Sequence, residues 1–282
     1  MKKIKAVIAA AGVGSRFFPI GKTIPKCMMP VWNQPLLAYT VADCLAAGIS
    51  EIAVITAPGE CTRQVRHFLA EDPELKQYFT DRGWQKKYQP LAQIPAAEFT
   101  IIEQPRDTGL YGTALPAIVA ADWIGSDDFL LASGDDLLLR LDRGSDLADL
   151  VTARRAAGCE GAIAVATAHS DEPLRYGIVQ PRPAAGGHPH PLVDEVRHWL
   201  PEDRQQHTAY INISRSLLPA SVLPHFTAVR PADNGELRAT DAINAFARDH
   251  DTLIHPIAGT FYDCGNPEGL HAASSAFACN PG

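Results

Sequence analysis

The order of apolar and polar positions predicts strands alternating with helices through the first half of the chain. Ile4 to Ala10 is an apolar run with β-branched residues, the pattern of a strand buried on both faces. Pro35 to Ala47 predicts a helix. Proline suits its first position, Leu37, Val41, Cys44 and Leu45 form one apolar face, and Gly48 supplies the stop. Glu51 to Thr56 predicts the next strand, and Arg63 to Phe79 has helical spacing interrupted near Pro73. Phe99 to Glu103 predicts a third strand, Gly112 to Ala121 a helix of small residues, and Asp128 to Ala132 a fourth strand. Such alternation builds a parallel sheet with helices on its faces.

The second half is more mixed. Gly161 to Thr167, Gly177 to Gln180, Leu192 to Val196 and Ala209 to Ile213 predict strands, Arg238 to Arg248 a helix, and Thr252 to Ile257 a late strand. Residues 181–191 form a loop by composition, rich in Pro and Gly. No repeat or charge block divides the chain. A shift in composition near residue 136 suggests two halves, 1–135 and 136–282, sharing one sheet in a single domain.

Composition narrows the function classes. The 282 residues carry 25 Lys+Arg against 32 Asp+Glu, a formal charge of −7. That balance argues against a nucleic acid partner, which needs a basic patch. Hydrophobic residues are 46% of the chain, enough for a core that folds without staples. The six cysteines form no CxxC pair, so they read as scattered thiols of a reducing, cytoplasmic protein. The apolar run at the N-terminus is too short for a signal segment, and no stretch approaches the roughly 20 residues of a membrane span.

The loop after the first strand carries the first chemistry. Ala10-Ala11-Gly12-Val13-Gly14-Ser15-Arg16 leaves the carboxyl end of that strand, where α/β folds bind ligands. Glycines there let backbone approach a phosphate closely, or simply make a tight turn. The dinucleotide fingerprint fails, because Phe17 stands at the third glycine position, and Walker A is absent. Arg16, Lys22 and Lys26 follow among prolines, either as a cationic cradle for a triphosphate or as a solvated basic loop.

The run GVGSRFFPIGKTIPKCMMP, residues 12–30, resembles the signature of the sugar-1-phosphate nucleotidyltransferases, the NDP-sugar pyrophosphorylases. Within that family it is most similar to the bacterial UTP–glucose-1-phosphate uridylyltransferases. The likeness continues through residues 32–56, EQPRDTGLYGTALPA, SGDD, YGIV, GELRATDAI and YDCGNPEG, in order over nearly the whole chain. It implies a Rossmann-like α/β fold with a mixed, mostly parallel sheet. The first half would bind nucleotide and the second sugar phosphate. The implied reaction is Mg²⁺-dependent transfer of a nucleotidyl group from UTP to a sugar 1-phosphate. Relatives in the family are commonly dimers or tetramers, which implies a homo-oligomer.

Residue by residue, the resemblance implies that Arg16 and Lys26 hold the triphosphate, alongside the backbone of Ala10, Ala11, Gly12 and Gly14. Gln104 and Gly109 receive the uracil or thymine, whose shared edge suits a side-chain amide. Tyr176, Gly177 and Glu236 lie on the sugar side. Asp135 and Asp263 hold Mg²⁺, a cation that takes hard oxygen ligands and keeps several waters. The residues alone leave other roles open: a capped turn for Asp135-Asp136, a helix N-cap for Asp263, and a first-turn acid for Glu236. Cys264 reads as packing rather than as a nucleophile, and His188, His190 and His198 as a solvated stretch.

Departures from the family pattern fall mainly on the sugar side. Ser15 replaces the usual Thr and Cys27 the usual Glu. Counting back without gaps from Arg215, Trp199-Leu200-Pro201 stands where the family has Glu-Lys-Pro. The family Lys binds the sugar phosphate and the Glu a sugar hydroxyl. Glu195, Arg197, His198 or Arg204 replaces them only in a shifted alignment. Two readings therefore stand beside the enzyme: a nucleotide-binding paralogue without turnover, and an NAD-dependent sugar enzyme, which the missing third glycine disfavours.

Overall fold

The computed structural model describes residues 2–89, 97–106, 109–169, 175–183 and 189–279. The first half runs β1 (Ile4–Ala10), the short β2 (Pro30–Val31) and β3 (Gln34–Pro35), α1 (Leu36–Ala46), β4 (Glu51–Thr56), α2 (Glu60–Leu69), α3 (Pro73–Asp81) and α4 (Gln85–Tyr88). It continues through β5 (Glu98–Glu103), α5 (Leu115–Val119), α6 (Ala121–Ile124) and β6 (Asp128–Ser133). The second half runs β7 (Asp136–Leu139), α7 (Asp146–Ala157), β8 (Gly161–His169), β9 (Ile178–Pro181), β10 (Val193–Arg197) and β11 (Thr208–Leu218). It ends with α8 (Leu223–Thr227), α9 (Ala239–Ala247), β12 (Thr252–Pro256), β13 (Thr260–Asp263) and α10 (Pro267–Cys279).

β1 lies between β4 and β6, parallel to both, and β5 continues the parallel set beyond β4. β11 then pairs antiparallel with β6, Arg215 opposite Ala132, and carries the second half of the chain onto the same sheet. β9 and β10 extend that edge, while β8 and β12 branch from the other stretch of β11. The mixed sheet with flanking helices is the Rossmann-like architecture the sequence implied. Alternate residues of β1 serve opposite faces: Ala6, Ile8 and Ala10 join one core cluster, Val7 the other. Each large aliphatic side chain buried this way contributes about 1.5–3 kcal/mol over its exposed state.

Helix α1 begins after Pro35 and stops before Gly48, whose φ of 75° is the left-handed conformation the stop required. The helical spacing over residues 63–79, interrupted near Pro73, is two helices, α2 and α3, with the break where the sequence placed it. Asp72 caps the second, its carboxylate accepting the Leu75 N–H at 2.9 Å, with Pro73 as first residue. The helix predicted from Gly112 starts instead at Leu115. Gly112 has φ 128° and is pressed against the Leu237 backbone, where a Cβ would stand 2.3 Å from the carbonyl oxygen. Helix α7 and the pair β7–β13 were not predicted. The 181–191 loop lies partly outside the described residues. Among those described, no helix is long and apolar enough to cross a membrane.

Candidate active site

A cavity of about 530 Å³ opens where β1 and β6 end, and Ala10, Ala11, Gly12, Lys26, Gln104 and Asp135 all line it. Local chain geometry brings these residues together. Gly134 follows β6 and donates its N–H to the Ala9 carbonyl at 2.9 Å; a Cβ there would stand 3.0 Å from that oxygen. The residue after it, Asp135, is thereby held at the mouth of β1. Gly14 takes φ 68°, and a Cβ on it would lie 3.6 Å from Lys26 Cβ. The loop thus folds back and delivers Lys26 to the cavity, where its ammonium pairs with Asp135. Gln104 arrives from the end of β5, its N–H donating to the Thr56 carbonyl at 2.8 Å.

Asp263 reaches the same place by another route. β13 pairs antiparallel with β7, so the carboxylates of Asp135 and Asp263 converge on Gly265. A Cβ on Gly265 would stand 2.9 Å from an oxygen of each and 3.0 Å from Lys26 Nζ. Asp263 accepts the Gly265 N–H at 3.0 Å, and Tyr176 donates its hydroxyl to the other oxygen at 3.3 Å. Ser133 donates its hydroxyl to Asp135. Burial first, and then Asp135 beside it, pushes the Asp136 carboxyl up to about 7, against the pull of Arg215 and Lys26. Burial and nearby carboxylates push the Cys264 thiol up to about 12, the condition of an inert packed cysteine.

This donor set fits Mg²⁺. Two hard carboxylate oxygens from separate elements close in on the Cα of Gly265, where the lack of a side chain lets them approach, and Mg²⁺ needs only one or two carboxylates with phosphate and water. Among the described residues no group of three His, Cys, Asp or Glu forms a full protein cage.

Three further site residues lie outside the cluster of Lys26, Asp135 and Asp263. Arg16 is exposed on the turn Ser15–Phe17 and lines a separate shallow groove with Phe18 and His271, so the structure does not join it to Lys26. Gly109 takes φ 68° before the cavity-lining segment 110–113 and supplies its turn. Glu236, read as sugar-side, forms a backbone bridge with Tyr111, which lines the cavity. The Leu237 N–H donates to the Tyr111 carbonyl at 2.8 Å, and the Ala114 N–H to the Leu237 carbonyl at 2.9 Å. Tertiary pairing, rather than the helix that follows, fixes Glu236: α9 is capped by Thr113, which accepts the Ala239 N–H at 2.9 Å.

Tyr176 and Gly177 sit at the head of β9, where Gly177 accepts the Asn212 N–H at 2.8 Å and a Cβ would press Val196 at 3.0 Å. Arg197, a candidate to replace the family Lys, is held by buried Asp203 through two hydrogen bonds of 2.8 and 2.9 Å. Arg204 instead lays its guanidinium over Trp199, 5.5 Å from the ring. Leu110, read together with Gly109 as part of the base-reading group, lines the cavity, whereas sequence reasoning missed Arg106, Tyr111 and Thr113 as cavity walls. They flank Gln104 and Gly109 in one motif, which was the available signal.

A family model described as "Nucleotidyl transferase" matches residues 5–279. A UTP–glucose-1-phosphate uridylyltransferase of Pseudomonas aeruginosa is 28% identical over 278 residues, covering 96% of this chain and 94% of the relative. One of Bacillus subtilis is 27% identical over 275 residues, covering 97% and 89%. Among solved structures, an apo UDP-glucose pyrophosphorylase superposes with a TM-score of 0.86 at 24% identity over all of both chains. A UDP-glucose pyrophosphorylase complexed with UDP-glucose gives a TM-score of 0.81 at 24% identity, covering 99% of each. At that identity the structures speak for the fold.

Proposed function

This chain belongs to the nucleotidyl transferase family, and from that premise we propose that it joins UTP to a sugar 1-phosphate, glucose 1-phosphate first, releasing pyrophosphate. The convergence of Lys26, Asp135 and Asp263 on Gly265, at the end of a cavity floored by Ala10 to Gly12, carries the reading. Nucleotidyl transfer needs positioning and charge neutralisation more than covalent help. An acceptor phosphate oxygen attacks the α-phosphorus in line; that P–O bond forms as the bond to the β-phosphate oxygen breaks, and pyrophosphate leaves with the electron pair. Lys26 exchanges Asp135 for the phosphates and neutralises their charge, while the Gly12 loop lays backbone against them. Gln104 offers the uracil edge a donor and an acceptor. Asp135 and Asp263 would hold Mg²⁺, which when bound supplies charge neutralisation on the phosphate oxygens.

Arg16 joins the triphosphate once the Ser15–Phe17 turn moves inward. Tyr176 keeps its hydroxyl on Asp263 and, with Gly177, borders the acceptor side. A cytoplasmic homo-oligomer, implied by the family resemblance in the sequence, belongs to the same proposal. Incubation with UTP, Mg²⁺ and a panel of sugar 1-phosphates should release pyrophosphate; no release with UTP or dTTP on any acceptor overturns the reading. Trp199-Leu200 favours one alternative, a nucleotide-binding paralogue, for which UTP binds in calorimetry while turnover stays at background.

A further inference from the structure

The resemblance implies a lysine on the acceptor side, and Leu200 stands at that position when counted back from Arg215 without gaps, while a sugar 1-phosphate brings about two negative charges that something must hold. Strand register brings one cation-bearing segment toward that side. Arg197 is opposite Ile178 across β10 and β9, so His198 and Trp199 leave the sheet beside Gly177 and Tyr176. Tyr176 hydrogen-bonds Asp263, and β11 passes Asn212 along Gly177 before Arg215 reaches Ala132 of β6. The segment after β10 therefore begins at the catalytic end of the sheet. Trp199 is half-buried there, packed against the same core cluster as Tyr176 and Phe261.

That segment is rigid by construction. Asp203, fully buried, accepts two hydrogen bonds from Arg197 and one from the Leu200 N–H at 2.7 Å. Arg197 is consumed by this clamp: withdrawing it to bind phosphate would strand a buried carboxylate, a change that costs several kcal/mol in comparable pairs. The clamp leaves the next residue, Arg204, exposed, with its guanidinium over the Trp199 ring and no carboxylate paired to it among the described residues. A guanidinium resting on an indole keeps its donors at its edge, prearranged for a phosphate fork.

We infer that Arg204, carried on Trp199, is the acceptor-phosphate ligand of this chain, the role its sequence vacated at Leu200. The inference rests on the sugar 1-phosphate reading above and assigns that phosphate a specific side chain. The Asp203 clamp is the positioning device, and Trp199 the platform.

Calorimetry with glucose 1-phosphate, run with Mg²⁺ and an α,β-methylene analogue of UTP, reads the site without turnover. Arg204→Ala should weaken glucose 1-phosphate about tenfold or more while leaving the UTP analogue within twofold. Arg204→Lys should recover part of the loss, and Trp199→Leu should lose less than Arg204→Ala. Steady-state assays should show the same variants raising KM for the acceptor and not for UTP. Equal acceptor affinity in wild type and Arg204→Ala overturns the inference, as does a wild type that binds the UTP analogue but no glucose 1-phosphate. A predicted affinity loss in a protein that never releases pyrophosphate from UTP overturns the reaction and leaves the phosphate site assigned to Arg204.

Discussion

Asp263 and Asp136 stand directly opposite each other across the β7–β13 pair. Two stretches more than a hundred residues apart in sequence are thus fixed in register by a small separate sheet. Asp135, one residue before that sheet, and Asp263, at its end, meet over Gly265. The like charges of Asp135 and Asp263 both push the Asp136 carboxyl up, toward about 7, with burial the larger cause. The Lys26 ammonium already offsets part of this charge through its pair with Asp135, and the Mg²⁺ proposed between Asp135 and Asp263 would offset more.

Asp135→Asn and Asp263→Asn keep shape and remove charge. Each should lower turnover by about 10²–10³, the scale of losing one electrostatic group in a transition state. Mg²⁺ titrations should shift to higher concentration in both, with melting temperature within a few degrees of wild type. Unchanged Mg²⁺ curves in both variants place the metal elsewhere.

Gly265→Ala tests the same geometry without touching a charge. The added methyl would meet Asp135, Asp263 and Lys26 at 2.9, 2.9 and 3.0 Å, so those side chains must move apart. A displacement of about 1 Å in a reacting constellation costs on the order of 10²-fold in rate. The variant should fold and bind UTP yet turn over about a hundredfold more slowly; wild-type kcat shows that the three groups do not act together.

Lys26 and Arg16 separate experimentally because the structure separates them. Lys26→Ala removes a cation already in the cavity and should cost about 10²–10³ in rate. Arg16 contributes only if its turn closes on the nucleotide. UTP should then raise hydrogen-exchange protection over residues 12–22 in wild type and much less in Arg16→Ala. Absence of UTP-induced protection, with full activity in Arg16→Ala, removes Arg16 from the site.

The parallel half of the fold was legible because its strands are short apolar runs punctuated by Gly and Pro, as at Pro35 and Gly48. Lys26, Gln104 and Asp135 were named as a site through the family resemblance; the residues alone left a solvated basic loop, an ordinary loop and a capped turn open. α7 escaped because DLADLVTARRAA carries only a narrow stripe, Leu147, Leu150 and Val151, though Ser145 and Gly158 cap it well. β7 and β13 escaped because each is four residues and depends wholly on the other. Glu236 was named from the resemblance, but its bridge to Tyr111 was not legible, because tertiary pairing brings the two together and no local pattern encodes it.

The last prediction concerns the clamp under the acceptor segment and its response to pH. Arg197 holds the Asp203 carboxyl below the usual carboxylate range, and Asp203 in turn raises Arg197, so both shifts report one attraction. A carboxyl with a depressed folded pKa stabilises the fold fully above its unfolded value, about 3.9, and loses that contribution as pH falls through the folded value. Asp203→Asn should therefore cost stability near pH 7, about 3 kcal/mol, the low end for breaking a buried pair with one partner partly exposed. The gap between wild type and variant should hold from pH 7 down to about pH 5 and narrow below about pH 4. Denaturant melts at each pH measure it. The same variant loosens the segment that carries Trp199 and Arg204, so its KM for the acceptor should rise while that for UTP holds. A stability gap that widens on acidification reverses the sign and shows that Asp203 is not held as a carboxylate.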